Sequence, residues 1–217
     1  MWSYYGSKSK IVNYYPKPKY KKIIEPFAGS AKYSLLYFEN DVLLYDKYPK
    51  IIKLWKYLQS ASIKDILGLP DMEYGENINM FNLSEEEKIL IGFCINEGSA
   101  SPKKTVGKFQ SWNKNKIKIA NSLYKIRHWN IQEGDYQSIE NESATWFIDP
   151  PYQNGGQYYV KSNKDINFEN LANWCNSRNG QIMVCENTKA NWLPFKPLVK
   201  MQGLKHKTIE SIYIKES

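Results

Sequence analysis

Cysteine, histidine and long apolar runs are all scarce in this chain of 217 residues. The three cysteines, Cys94, Cys175 and Cys185, are odd in number and have no close spacing, which excludes a disulfide framework and a metal knuckle. They read as reduced thiols. Neither of the two histidines, His128 and His206, lies in a motif, so neither is assigned a catalytic role. No stretch approaches the length of a membrane span, and the start Met1-Trp2-Ser3-Tyr4 lacks an apolar signal core. A cytoplasmic protein is expected. No internal repeat or low-complexity linker is present. Acids are the smaller party, with 22 Asp and Glu against 30 Lys and Arg, so the net charge is +8. That balance suits a polyanionic partner such as nucleic acid, although a Lys-, Asn-, Ile- and Tyr-rich composition of the kind AT-rich genes impose would raise the charge without any function. At 42% hydrophobic residues, the chain can bury one α/β core, leaving room for no more than a small insertion.

The most informative segment is Asp149-Pro150-Pro151-Tyr152, which follows the strand-like run Ala144-Thr145-Trp146-Phe147-Ile148. It delivers a carboxylate, a carbonyl flanked by rigid prolines and an aromatic face to one point. An exocyclic amine on a conjugated ring is a poor nucleophile because its lone pair is delocalised. Acceptors on both of its hydrogens, the Asp149 carboxylate and the Pro150 carbonyl, favour a pyramidal nitrogen and free that lone pair, while Tyr152 stacks on the base. The competing reading is a plain strand-ending turn, for which Asp and Pro are ordinary residues.

A second element, Ile23-Ile24-Glu25-Pro26-Phe27-Ala28-Gly29-Ser30-Ala31, is an apolar strand entering a small-residue turn, with a helix predicted from Lys32 to Asn40. Such a turn lets backbone approach a nucleotide-like ligand closely. The next predicted strand, Val42 to Tyr45, ends at Asp46, 17 residues after Gly29 and so positioned either to accept from ribose hydroxyls or to cap the following helix.

Tyr4-Tyr5-Gly6-Ser7-Lys8, then the Glu25 to Ala31 element, then Asp46, then a long insert, then Asp149-Pro150-Pro151-Tyr152, resembles in order the adenine-specific DNA methyltransferases of the bacterial and phage Dam type. The resemblance spans nearly the whole chain. It implies that Tyr4, Lys8, Pro26, Phe27, Ala28, Gly29, Ser30 and Asp46 bind S-adenosylmethionine, with Asp135 and Tyr136 lining the pocket for its adenine as a looser match. It implies that Asp149, Pro150, Pro151 and Tyr152 hold a flipped adenine, and that the partner is double-stranded DNA, with no metal and a monomer or weak dimer. Two positions depart from the family pattern: Ser7 and Ala31 stand where a second glycine is common.

The fold expected is α/β, a methyltransferase-type Rossmann-like sandwich on a mostly parallel twisted sheet, with a small helical insert carrying a hairpin. The catalytic and cofactor-binding domain would comprise 1–55 and 129–217. A helix from Tyr48 to Ser60 precedes the insert, 56–128, where the α/β rhythm stops. Within the insert, Ser84 and Glu87 have capping-box spacing, and a helix is predicted from Lys114 to Arg127. The basic run from Lys103 to Trp112 fits the hairpin position. Lys103, Lys104 and Lys108 would contact phosphates, and Phe109 or Trp112 would stack or wedge, unless Trp112 belongs to the insert's own core. Gln153 to Tyr159, with two adjacent glycines, reads as a loop able to order over the base. Beyond it a helix from Asn167 to Ser177 and strands at Gln181 to Cys185 and Ser211 to Ile214 are predicted. Methylation of the cytosine exocyclic amine or of a glutamine side chain uses a related element, and a catalytically silent nucleic-acid-binding module is the remaining alternative.

Overall fold

The structure, a computed structural model, describes residues 1–217 apart from Ser3, Glu97, 203–206 and Ser217, together with the side chains of 201, 202 and 207. His206 therefore lies outside the described residues. The strands are β1 (Lys22–Glu25), β2 (Asp41–Asp46), β3 (Asn130–Glu133), β4 (Ala144–Ile148), β5 (Gly180–Asn187), β6 (Lys196–Gln202) and β7 (Lys207–Glu216). They form one seven-stranded sheet in the order β3-β2-β1-β4-β5-β7-β6. The first five strands are parallel, and β7 runs antiparallel between β5 and β6.

Every residue of β4 is buried, as is expected of a central parallel strand covered on both faces. The pleat sends alternate side chains into two separate cores. Ile23, Leu44, Phe147 and Met183 join the larger one, while Ile24, Leu43, Trp146 and Ile182 join the other. The larger core is closed by α2 (Pro49–Ser60), with Ile51, Leu54, Trp55 and Leu58 on its buried face, and by the insert helices α3 (Ile63–Leu67), α4 (Glu85–Cys94) and α5 (Trp112–Ala120). Leu171, Ala172 and Cys175 of α6 (Phe168–Ser177) close the smaller core. All three cysteines are buried.

The insert is not a separate core, because Leu90, Phe93 and Trp112 belong to the same continuous cluster as Ile23 and Leu44. The predicted boundary at 56 falls inside α2. The capping box of α4 forms as expected: Ser84 accepts from the Glu87 N–H, and Glu87 accepts from the Ser84 N–H. α1 (Lys32–Leu36) is shorter than the predicted helix. The helix expected from Lys114 to Arg127 stops at Ala120 and continues as a 3-10 turn, Leu123–Ile126. At the break the Ser122 hydroxyl donates to Lys118 O, the local side-chain bonding that competes with a continuing helix.

No hairpin forms between Lys103 and Trp112, and this expectation is corrected. The segment instead lies over α4 as a packed loop. Lys103 N donates to Gly92 O, Gly107 N to Ile95 O and Ser111 N to Cys94 O, while its other edge pairs with 75–78 through Ile78 N to Lys104 O and Val106 N to Glu76 O. The antiparallel bridge that does form joins Thr105 to Asn77, not two halves of the basic segment. Among the described residues, no helix is long and apolar enough to cross a membrane.

Candidate active site

Parallel strands that diverge in order leave a crevice at their carboxyl ends, and here the divergence falls between β1 and β4. A cleft opens there. It is lined by Tyr4 to Lys8, Glu25 to Lys32, Asp46 to Tyr48, Gly134 to Tyr136, Phe147, Asp149, Pro151, Tyr159, Lys161, Ser162, Asp165 and Ile166. All of the sequence-predicted cofactor residues therefore share one cavity.

The turn after β1 is held in place by its own backbone. Ala28 N donates to Tyr45 O, and Trp55 Nε1 donates to Gly29 O. Gly29 has φ 44°, in the left-handed region that favours glycine, and a Cβ there would lie 3.2 Å from the Tyr4 ring, a tight contact. Ala31 has φ 43°, the left-handed region, which costs an alanine about 1–2 kcal/mol and accounts for glycine being common at this position in the resembling family. Ser7, the other departure, sits in a turn closed by Ser7 N to Tyr4 O and accepts from the Ser30 hydroxyl. The first turn of α1 is not an open anion site, because Ser34 N and Ser34 Oγ both donate to Glu25 Oε1.

Asp46 neither caps α2 nor stands free. Its Oδ2 accepts from Gly29 N at 3.0 Å and its Oδ1 from Tyr48 N at 2.8 Å, so it ties the β1 turn to the entry of α2, whose N-cap Tyr48 has no side-chain cap. Burial raises its carboxyl to about 6 against those two stabilising bonds. Each carboxylate oxygen keeps a further lone pair, and Asp46 lines the cleft. Asp135 caps a short 3-10 turn and pairs with Lys47 at 2.9 Å, and Tyr136 is buried between Phe27 and Trp174.

Beside this turn lies a buried charge cluster. The Lys8 ammonium donates to both oxygens of Asp149, at 2.6 and 2.7 Å, and to Gly6 O at 3.3 Å. Glu210 of β7 stands 3.9 Å from it and accepts from the hydroxyls of Tyr15, at 2.7 Å, and Tyr152. Burial disfavours the Lys8 charge, but Asp149 and Glu210 outweigh it and hold its pKa above the usual lysine value. Asp149 is pushed up to about 6, by burial first and by Glu210, with Lys8 opposing, so it is ionised at neutral pH. Among the described residues no group donates to the Pro150 carbonyl. The Tyr152 ring lies under the Lys8 ammonium at 4.8 Å, and its hydroxyl donates to Glu210.

The loop after Tyr152 is already folded. Gly156 N donates to Tyr152 O, Asn163 Nδ2 to Gln153 O, and Glu186 accepts from Gln153 N at 2.5 Å, from Asn187 N and from Trp192 Nε1. Glu186 and Glu210 were not identified from sequence; Glu186 is the one acid of the largely apolar β5, the pattern of a buried carboxylate that must have partners, whereas Glu210 sits among other polar and charged residues of β7. Lys103, Lys104, Lys108 and Phe109 are exposed, Phe109 at 77%. Trp112 is the correction in this group. It is fully buried, and its Nε1 donates to Pro70 O, because α5 packs against α3 and the ring fills the space between them.

Glu25, buried at the floor of the cleft, is raised by that burial to about 8 from 4.5. The folded chain thus keeps a proton that the unfolded chain releases. Its stabilising contribution is complete below pH 4.5 and is lost as the pH rises to 8. Glu25→Gln retains an acceptor for Ser34 and cannot ionise, so its melting temperature should decline less than that of the wild type between pH 5 and 8.5. The difference should amount to a few kcal/mol, with about 5 as the ceiling for a shift of this size. Parallel melting curves for the two proteins across that range would exclude a buried neutral Glu25.

Among the described residues, no group of three or more His, Cys, Asp or Glu could hold a metal ion. No protein-family model matches the chain, and no curated protein matches it.

Proposed function

We propose that this chain is a DNA adenine methyltransferase of the methyltransferase-type Rossmann-like class, transferring a methyl group from S-adenosylmethionine to the exocyclic amine of adenine. The observation that carries this reading is convergence. Four motif elements far apart in sequence, around Lys8, Gly29, Asp46 and Asp149, meet in one cleft at the switch point of the sheet.

The residues present fit the cofactor. Gly29, Ala28 and Ser30 keep the β1 turn free of bulk, the remaining lone pairs of Asp46 can accept from ribose hydroxyls, and Phe27 and Tyr136 supply an apolar wall for a purine. When bound, S-adenosylmethionine supplies a sulfonium methyl, an electrophile that needs no metal. The chain's own residues orient and activate the acceptor amine. Asp149 Oδ and Pro150 O each accept one N–H, and the amine must share Asp149 with Lys8, whose ammonium keeps that carboxylate charged. As the N–C bond formed, the methyl C–S bond would break to leave a neutral thioether, and the cationic amine nitrogen would lose a proton that Asp149, at about 6, could take and pass to water. The hydroxyl of Tyr152 is tied to Glu210 and one ring face to the Lys8 ammonium, so the ring steadies Lys8 and Asp149, and its other face is the one that would stack on the base.

Incubation with DNA and methyl-labelled cofactor, followed by nucleoside analysis, tests this directly. Label in N6-methyladenine is expected. Label in N4-methylcytosine, in glutamine of added protein, or in nothing would replace the proposal by one of the alternatives. On the insert, Lys103, Lys104 and Lys108 are exposed and form no ion pair among the described residues. If they face phosphates, the triple Lys→Gln variant should lose about 0.9 in the log–log salt slope of duplex affinity per contact, with cofactor affinity unchanged. A wild-type slope in the variant would return all three to an idle solvated face.

A further inference from the structure

Next to the cleft, and sharing Tyr5 and Tyr159 as a common rim, an open groove runs between the loop after β4 and the insert, walled by Tyr158, Val160 and Lys103. Its floor is aromatic. The Tyr5 ring lies 5.1 Å from Tyr159 and 5.9 Å from Tyr158, both edge-on, and Tyr158 is 65% exposed. An exposed tyrosine set edge-on against Tyr5 presents a large apolar face at low entropic cost.

The walls are fixed in advance. Tyr5 N donates to Ser99 O, and Tyr159 OH donates to Tyr5 O at 3.1 Å. Gly6 makes this approach possible, since a Cβ there would fall 1.9 Å from the Tyr159 oxygen. Lys103 is pinned through its backbone to Gly92, where a Cβ would sit 2.8 Å from Lys103 O. The described lining contains no acid, and Lys161 stands on the adjoining cleft wall. An aromatic shelf flanked by free ammonium groups is complementary to a base joined to a phosphate, and such stacking tolerates any base because each has a π face.

We propose that this groove binds one unpaired nucleotide of a DNA strand, its base on Tyr158 and Tyr5 and its phosphate at Lys103, adjoining the nucleotide whose amine enters the cleft. The inference rests on the nucleic-acid reading above, but it adds a site beyond the shared Tyr5 and Tyr159 rim and requires no methyl transfer. A duplex held this way is opened by more than the target base. Single-stranded DNA is accordingly a good ligand.

The probe is a fluorescently labelled oligothymidylate of a dozen residues, which carries no exocyclic amine and so cannot report on methylation. Anisotropy titration of the full chain should detect its binding. Tyr158→Ala should weaken it roughly tenfold or more, and Tyr158→Phe should restore it, as expected for a stacked base. Lys103→Gln should reduce the log–log salt slope by about 0.7. Melting curves accompany each variant, and the exposure of Tyr158 predicts little change in them. Absence of oligothymidylate binding, or binding indifferent to Tyr158→Ala, overturns the groove. Binding that depends on Tyr158 in a protein that methylates no DNA leaves the groove standing and removes the enzymatic reading. Methyl transfer with an unresponsive groove does the reverse.

Discussion

Asp149→Ala is expected to lower methyl transfer by at least two orders of magnitude while S-adenosylmethionine still binds. The carboxylate is one of two acceptors available to the amine, and removing one preorganised group of this kind costs about 10²–10³ in turnover. Cofactor affinity should persist because the Gly29 turn and Asp46 are anchored to each other and to Trp55, with no bond to Asp149. The alanine variant has a second effect. Lys8 is only 7% exposed, and among the described residues it would keep Glu210, at 3.9 Å, as its one carboxylate partner. Breaking a buried pair from one side costs about 3–5 kcal/mol. Asp149→Asn separates the two effects, since it keeps the volume and one acceptor oxygen while losing the charge; its turnover should fall as in the alanine variant with a smaller drop in melting temperature. Wild-type turnover should itself decline as the pH falls through about 6, where Asp149 protonates and surrenders an acceptor site. Turnover within a few-fold of wild type in both variants would remove Asp149 from the chemistry.

For Trp112→Ala the expected result is loss of stability, not a selective defect on DNA. The ring is fully buried in the larger core, with its Nε1 bonded to Pro70 O and its backbone N bonded to the Gln110 side chain. Truncating a buried tryptophan costs about 3–5 kcal/mol through lost transfer energy and the cavity left behind. In a chain of this size that corresponds to a fall in melting temperature of roughly 10 °C. Methylation of matched and mismatched duplexes should fall by the same factor, because a core residue does not act on base extrusion. A loss confined to matched duplex, with an unchanged melting temperature, would return Trp112 to the surface. The exposed Phe109 remains available for the wedging role.

Local patterning decided much of this molecule without help from the tertiary structure. Ala144–Ile148 is a continuous apolar run and became a fully buried parallel strand with the limits expected of it. Ser84 and Glu87 started a helix because both halves of the capping box are local bonds. The small residues after β1 and the acid that ends β2 were legible for the same reason: a strand end and a turn are specified within a few residues.

What the sequence could not decide was whatever depends on which segments meet. β6 begins Lys196-Pro197 and carries no apolar run; it is a strand only because β7 offers it an edge. The basic stretch around Lys104 has the composition of a hairpin, yet the carbonyls of α4 and the 75–78 edge claimed its donors. Trp112 lies in a polar segment, and only the packing of α5 on α3 buried it. At the site, Lys8 and Asp149 were recognisable as separate motifs 141 residues apart, but their ion pair was not. The partners that hold them, Glu210 and Tyr15, come from the antiparallel end of the sheet and from the N-terminal segment. Short-range chemistry is written in neighbouring residues, whereas a buried charge is stable only beside partners that the folded sheet brings to it.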